Sequence, residues 1–153
     1  MFPLKLDCIK YLEQLRWSDQ VKCPYCKSKY NTSFKREKRY HCNTCFTSFS
    51  VMVGTALHNT KLDLQKWFAA IIIIVRSDGT ISSRNLAEKL DINRNTCNFI
   101  NQRINKLINH NKQAFQSLVE MHIIEQIEKP NVPLRESSWF KEAIKFLLKE
   151  IRM

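Results

Sequence analysis

The spacing of apolar residues changes character along the chain. In CIKYLEQLRW, Cys8, Ile9, Leu12 and Leu15 fall on one helical stripe, which predicts a short helix packing on the strands that follow. From Tyr30 to Val53 the period is two. YNTSF and KRYHC read as strands turning near Arg36 and Glu37. FTSFSVMV reads as a third, with Phe49, Val51 and Val53 alternating with Ser48, Ser50 and Met52. Gly54-Thr55 closes this stretch. DLQKWFAAIIIIV then opens a helix with Asp63 as N-cap, and Leu64, Trp67, Phe68, Ile71, Ile72 and Val75 form its core stripe. SDG, Ser77 to Gly79, ends it.

From Ile81 to Ile104 the pattern is that of a helix-turn-helix. Ser82 or Ser83 caps a short helix through Leu90, Asp91-Ile92-Asn93 turns, and a longer helix runs from about Arg94 to Asn109. Leu86, Leu90, Ile92, Cys97 and Ile100 supply the small core between the two helices, and Ala87 is small where they cross. Asp91 occupies the turn position usually given to Gly, which it tolerates through a left-handed φ. KQAFQSLVEMHIIEQIEK is a further helix, broken at Pro130 and Pro133. WFKEAIKFLLKEIR closes the chain, with Trp139, Phe140, Ala143, Ile144, Leu147 and Ile151 apolar. The expected fold class is α+β, mostly α. An N-terminal helix (1–19) leads to a small three-stranded ribbon (20–55). A helix-turn-helix bundle (60–110) and a C-terminal helical tail (111–153) follow.

The ribbon is too small to fold on an apolar core alone, and its cysteines say what replaces one. Cys23 and Cys26 form one C-x-x-C pair, Cys42 and Cys45 another, with fifteen residues between the pairs. That spacing fits one tetrahedral Zn²⁺, and four thiolates leave no open position for substrate, so the metal is structural. A thioredoxin-like redox pair would want one C-x-x-C beside a βαβ pattern, which is absent, and a disulfide framework belongs to secreted chains. No secretory leader is evident and the longest apolar run, Trp67 to Val75, is too short to span a bilayer, so a cytoplasmic address without membrane contact is expected. Cys8 and Cys97 are read as small buried hydrophobes.

The charge is strongly positive. The formal +11 falls to about +9 once four thiolates (−4) and one Zn²⁺ (+2) are included, and it still points to a polyanionic partner. Lys35, Arg36, Lys38 and Arg39 cluster in FKREKRY at the ribbon's turn, where phosphate contact explains them better than solubility does. The second helix of the helix-turn-helix buries Cys97, Ile100, Ile104, Leu107 and Ile108. Its opposite face carries Asn95, Phe99, Gln102 and Lys106, flanked by Arg94 and Asn98, with Arg103 adding charge. From Ile92 to Val119 there is no acidic residue. Asn and Gln can pair with adenine in the major groove and Arg with guanine, and Phe99 can touch a thymine methyl. Double-stranded DNA is therefore the expected partner.

The order CIKYLEQLRW, CPYC, YHCNTC, FSVMVGT, a KWF-AA helix and a helix-turn-helix resembles the N-terminal part of insertion-sequence transposases that carry a zinc ribbon before a DDE-type catalytic domain. The resemblance covers roughly residues 1 to 110. It implies that Cys23, Cys26, Cys42 and Cys45 hold the zinc and that ribbon and helix-turn-helix bind the element's terminal inverted repeats. A DDE domain needs three separated acids, yet the last Asp here is Asp91, and only Glu120, Glu125, Glu128, Glu136, Glu142 and Glu150 follow. The expectation is thus a transposase-like binder of element ends, without catalysis. The alternatives are a stand-alone transcription regulator and a zinc-ribbon protein adaptor. The C-terminal helices are the expected contact with a second copy or with a full-length transposase.

Overall fold

A computed structural model describes residues 5–149. Its elements are α1 (Lys5–Arg16), β1 (Asn31–Phe34), β2 (Arg39–Cys42), β3 (Ser48–Phe49), α2 (Leu64–Arg76), α3 (Ser83–Leu90), α4 (Arg94–His110), α5 (Lys112–Glu128) and α6 (Ser138–Leu147), with a 3-10 turn at Leu134–Glu136. The three strands form one antiparallel sheet in sequence order. Asn31 pairs with Cys42 and Phe34 with Arg39, while Tyr40 faces Phe49.

The third strand is much shorter than its alternation suggests. It ends at Phe49 because Val51 is drawn into the helical core together with Ala56 and Leu57, which requires the backbone to turn away from the sheet. Short turn bonds replace the ladder there, from Val53 N–H to the Ser50 carbonyl and from Thr55 N–H to the Met52 carbonyl. α1 also differs from expectation. Its buried residues Cys8, Ile9, Tyr11 and Leu12 join the core formed by α2 and α6. Tyr11 stacks on Phe140 at 6.0 Å and meets Phe68 edge-on at 6.3 Å.

The C-terminal end of α1 holds the ribbon. Trp17 meets Tyr40 and Phe49 edge-on at 5.4 and 5.9 Å, and those two rings stack on each other at 5.6 Å. The Tyr40 hydroxyl donates to Glu13, and Arg16 donates to the carbonyls of Val51 and Val53. The ribbon is therefore fastened to the helical body by aromatic packing and by three directional bonds.

Within the body, the helix-turn-helix forms as its local signals require. Ser82 caps α3 by accepting from Asn85 N–H, and Asn93 caps α4 by accepting from Asn95 N–H at 2.7 Å. Asp91 adopts φ 51°, ψ 55°, and this left-handed residue ends α3 and lets Ile92 N–H reach the Ala87 carbonyl. Leu86, Leu90, Cys97 and Ile100 are buried between the helices, with Ile92 packed against them. Asp63 stands at the N-cap of α2, but its side chain makes no capping bond. α6 lies within the same core, burying Trp139, Phe140, Ala143, Ile144, Phe146 and Leu147. The Glu125 carboxylate on α5 caps α6 by accepting from Ser138 and Trp139 N–H. α6 ends at Leu147, and Glu150 and Ile151 lie outside the described residues. Among the described residues no helix is long and apolar enough to cross a membrane.

Candidate metal centre and nucleic-acid interface

The two C-x-x-C segments fold alike. Cys23 N–H donates to the Ser28 carbonyl and Lys27 N–H to the Cys23 carbonyl. One knuckle later Cys42 N–H donates to Thr47 and Phe46 N–H to Cys42, all four bonds at 2.9 Å. Each knuckle needs a left-handed residue after its second cysteine, and Lys27 and Phe46 supply it at φ 63° and 58°. The repeated turn aims both sulfurs of each pair at one point. The four Sγ atoms lie within 4.8 Å of one another, with Cys23 to Cys45 at 3.7 Å and Cys26 to Cys42 at 3.5 Å. A tetrahedron with Zn–S bonds of about 2.3 Å has edges of roughly 3.8 Å, so the sulfurs already stand near zinc-ligand separation.

Electrostatics in the sulfur cluster favour a cation. Burial acts to raise the Cys42 thiol, but backbone N–H groups of Cys45 and Thr44 and the adjoining thiols outweigh it and hold Cys42 at about 6. The Ser28 backbone lowers Cys26, yet burial and the three neighbouring sulfurs push it up to about 12. Cys42 and Cys45 are thus held below the ordinary thiol range while Cys26 resists adding its negative charge, which a bound Zn²⁺ would neutralise. Among the described residues this is the one place where three or more His, Cys, Asp or Glu side chains gather closely enough to hold a metal.

The ribbon's turn presents Lys35, Arg36 and Arg39 to solvent, with Lys38 half-buried at φ 54°. On α4, Arg94, Asn95, Asn98, Phe99, Gln102 and Lys106 are all exposed. Arg103 is oriented differently. Its guanidinium donates to the carbonyls of Ala56 and His58 and lies 4.2 Å over the Phe99 ring, so it ties α4 to the loop that leaves the ribbon. That inward commitment separates it from the other α4 polar residues named from sequence.

Two clefts connect these groups. One, of about 560 Å³, is lined by Arg36, Glu37, Lys38 and Arg39 of the turn, by residues 50–53, and by Asn59. The other, of about 540 Å³, is lined by residues 59–62 and by Asn95, Thr96 and Phe99 of α4. Asn59 belongs to both linings, so the cleft beside the basic turn and the cleft beside the N-terminal half of α4 both reach this loop. The loop between them was not singled out by sequence reasoning, because its basic residue, Lys61, stands alone there and its placement depends on the tertiary ties to α4.

Comparison with known proteins agrees with the metal centre. Residues 6–48 match the transposase zinc-ribbon domain. The match takes in both knuckles and nearly the whole sheet, so the chain carries a transposase-type zinc ribbon with four cysteines positioned for one metal ion. An uncharacterized protein in the transposable element ISH50 of Halobacterium salinarum is 32% identical over 89 residues, which is 56% of this chain and 29% of that protein. The chain therefore corresponds to less than a third of the length of that relative. No solved structure matches.

Proposed function

We propose that this transposase-like, zinc-dependent protein binds double-stranded DNA sequence-specifically and recognises the ends of an insertion element, in the cytoplasm where that DNA resides. The carrying observation is a pair of clefts with one lining residue in common. A basic turn held by a zinc ribbon and a polar helix of a helix-turn-helix open onto adjoining clefts that meet at Asn59. On this reading α4 enters the major groove, where Asn95, Asn98, Phe99 and Gln102 read base edges, while Arg94 and Lys106 meet the flanking backbone. Lys35, Arg36, Lys38 and Arg39 hold phosphates beside the groove and set register without reading sequence. Zinc supplies the rigidity that keeps this turn aligned with α4. The zinc-ribbon match and the relative within a transposable element support a place in transposition. The proposed role is binding, without strand cleavage. After α4 the described residues form helices and turns, and the Glu125 carboxylate already serves as a helix cap. Gel-shift and nicking assays with labelled terminal duplex and Mg²⁺ or Mn²⁺ test both halves. Retarded but intact DNA supports the reading, and metal-dependent nicking overturns the binding-only role.

A protein contact is favoured by a separate observation. Ile123, Ile124 and Ile127 on α5 are 51%, 52% and 76% exposed. We assign this face to association with a second copy of the chain or with a longer transposase. Light scattering on Ile127→Lys, with and without the longer protein, tests it.

A further inference from the structure

We infer that the loop from His58 to Leu62 is a third DNA-contacting segment, in which Lys61 neutralises a phosphate and Asn59 donates its amide to the adjacent backbone. The inference rests on the DNA-binding reading and adds a contact that neither the basic turn nor the helix-turn-helix pattern contains. Three observations carry it. Asn59 is the residue common to both clefts, so a duplex lying across the turn and α4 must pass this loop. Both Asn59 and Lys61 are exposed, Lys61 on the wall that faces Asn95 and Phe99. The loop is also held more firmly than a mere connector requires. Arg103 donates to the Ala56 and His58 carbonyls, Gly54 N–H donates to His58 Nδ1 at 2.9 Å, and Trp67 Nε1 donates to Thr60 Oγ1 at 2.8 Å.

These ties come from both neighbouring elements: the ribbon's exit at Gly54, and α2 and α4 of the body. They fix the loop's position relative to the two other contacts, and backbone contacts need such fixing to set register on a duplex. Asn59 is exposed and stands at φ 53°, a conformation that Asn tolerates better than most residues. A rigid backbone and a short amide lose little freedom on binding, so the contact is preorganised.

The experiment measures binding of the full, zinc-loaded chain to a duplex of its element's terminal sequence by fluorescence anisotropy across a salt series. Lys61→Gln should flatten the slope of log K against log salt by about 0.9, the value of one lost phosphate contact. Asn59→Gly keeps the left-handed backbone and removes the amide. It should weaken binding about five- to tenfold, alike for terminal and scrambled duplexes, as loss of one hydrogen bond predicts. Lys141→Gln, an exposed lysine on α6, should leave both quantities unchanged. Steep wild-type binding with an unaltered slope in Lys61→Gln and unaltered affinity in Asn59→Gly overturns the loop contact alone. No salt-dependent duplex binding by the wild type overturns the DNA-binding reading, and the loop contact with it.

Discussion

Replacing Arg103 by Met separates the DNA contact expected from its sequence position from the anchoring role its hydrogen bonds show. Met keeps an apolar stem of similar reach over Phe99 and deletes the guanidinium. One terminal nitrogen serves both the Ala56 and His58 carbonyls, so the pair counts as about one charge-assisted bond, roughly 1.5–3 kcal/mol. The guanidinium also sits 4.2 Å over Phe99, a contact of about 0.5–1 kcal/mol at a partly exposed site. Together the loss is on the order of 2–4 kcal/mol. Urea denaturation of the zinc-saturated protein should show it as a midpoint lowered by about 1–2 M, given a denaturant dependence of about 2 kcal/mol per M. The salt dependence of DNA binding, measured well below that midpoint, should not change. Unaltered stability combined with a salt slope flattened by about 0.9 would refute the anchoring role and make Arg103 a phosphate contact.

Cys26→Ser should abolish stoichiometric zinc and unfold the ribbon while the helical body persists, since such sites contribute on the order of 10 kcal/mol, and elemental analysis with circular dichroism reads both effects. Replacing Lys35, Arg36, Lys38 and Arg39 together by Gln should flatten the salt slope by up to about 3.6 without relaxing preference for the terminal duplex, and an unchanged slope would mean that the turn is merely solvated. Glu125→Ala removes the acceptor that caps α6 and should lower stability by about 1 kcal/mol at neutral pH. Burial acts to raise Glu125, but the N–H groups of Trp139 and Ser138, the Ser137 hydroxyl and the Lys129 charge hold it below the ordinary carboxylate range. A lowered folded pKa gives stability that is present above the unfolded value and lost as pH falls through the folded one. The deficit of Glu125→Ala in thermal denaturation should therefore shrink in acid below about pH 4.5.

Much of this arrangement was legible because its determinants are local. The spacing of Cys23, Cys26, Cys42 and Cys45 contains the whole metal centre, since each knuckle is a five-residue turn and the metal joins the two. Ser82, Asp91 and Asn93 set the helix-turn-helix for the same reason: caps and left-handed residues act within a few positions of themselves. What could not be read depends on which surfaces meet. Val51 continues a strand-like alternation, but it is a core residue of the helical body, and that non-local pull ends the strand two residues earlier. Arg103 sits among polar residues on α4, and only the return of the 54–60 loop shows that it faces inward. Asn59 carries no motif at all. Its importance appears only when two clefts are found to share it.

The central claim is that zinc ribbon and helix-turn-helix form one face for duplex DNA. Its most direct test is anisotropy of the zinc-loaded protein on the terminal duplex of the proposed element and on a scrambled duplex, in wild type and in a double variant, Asn95→Ala with Gln102→Ala. The account predicts tighter, salt-steep binding to the terminal duplex by wild type. It also predicts that the double variant loses the preference while keeping most of the salt slope, because base contacts specify and phosphate contacts hold. Equal, salt-insensitive affinity of wild type for both duplexes would contradict it.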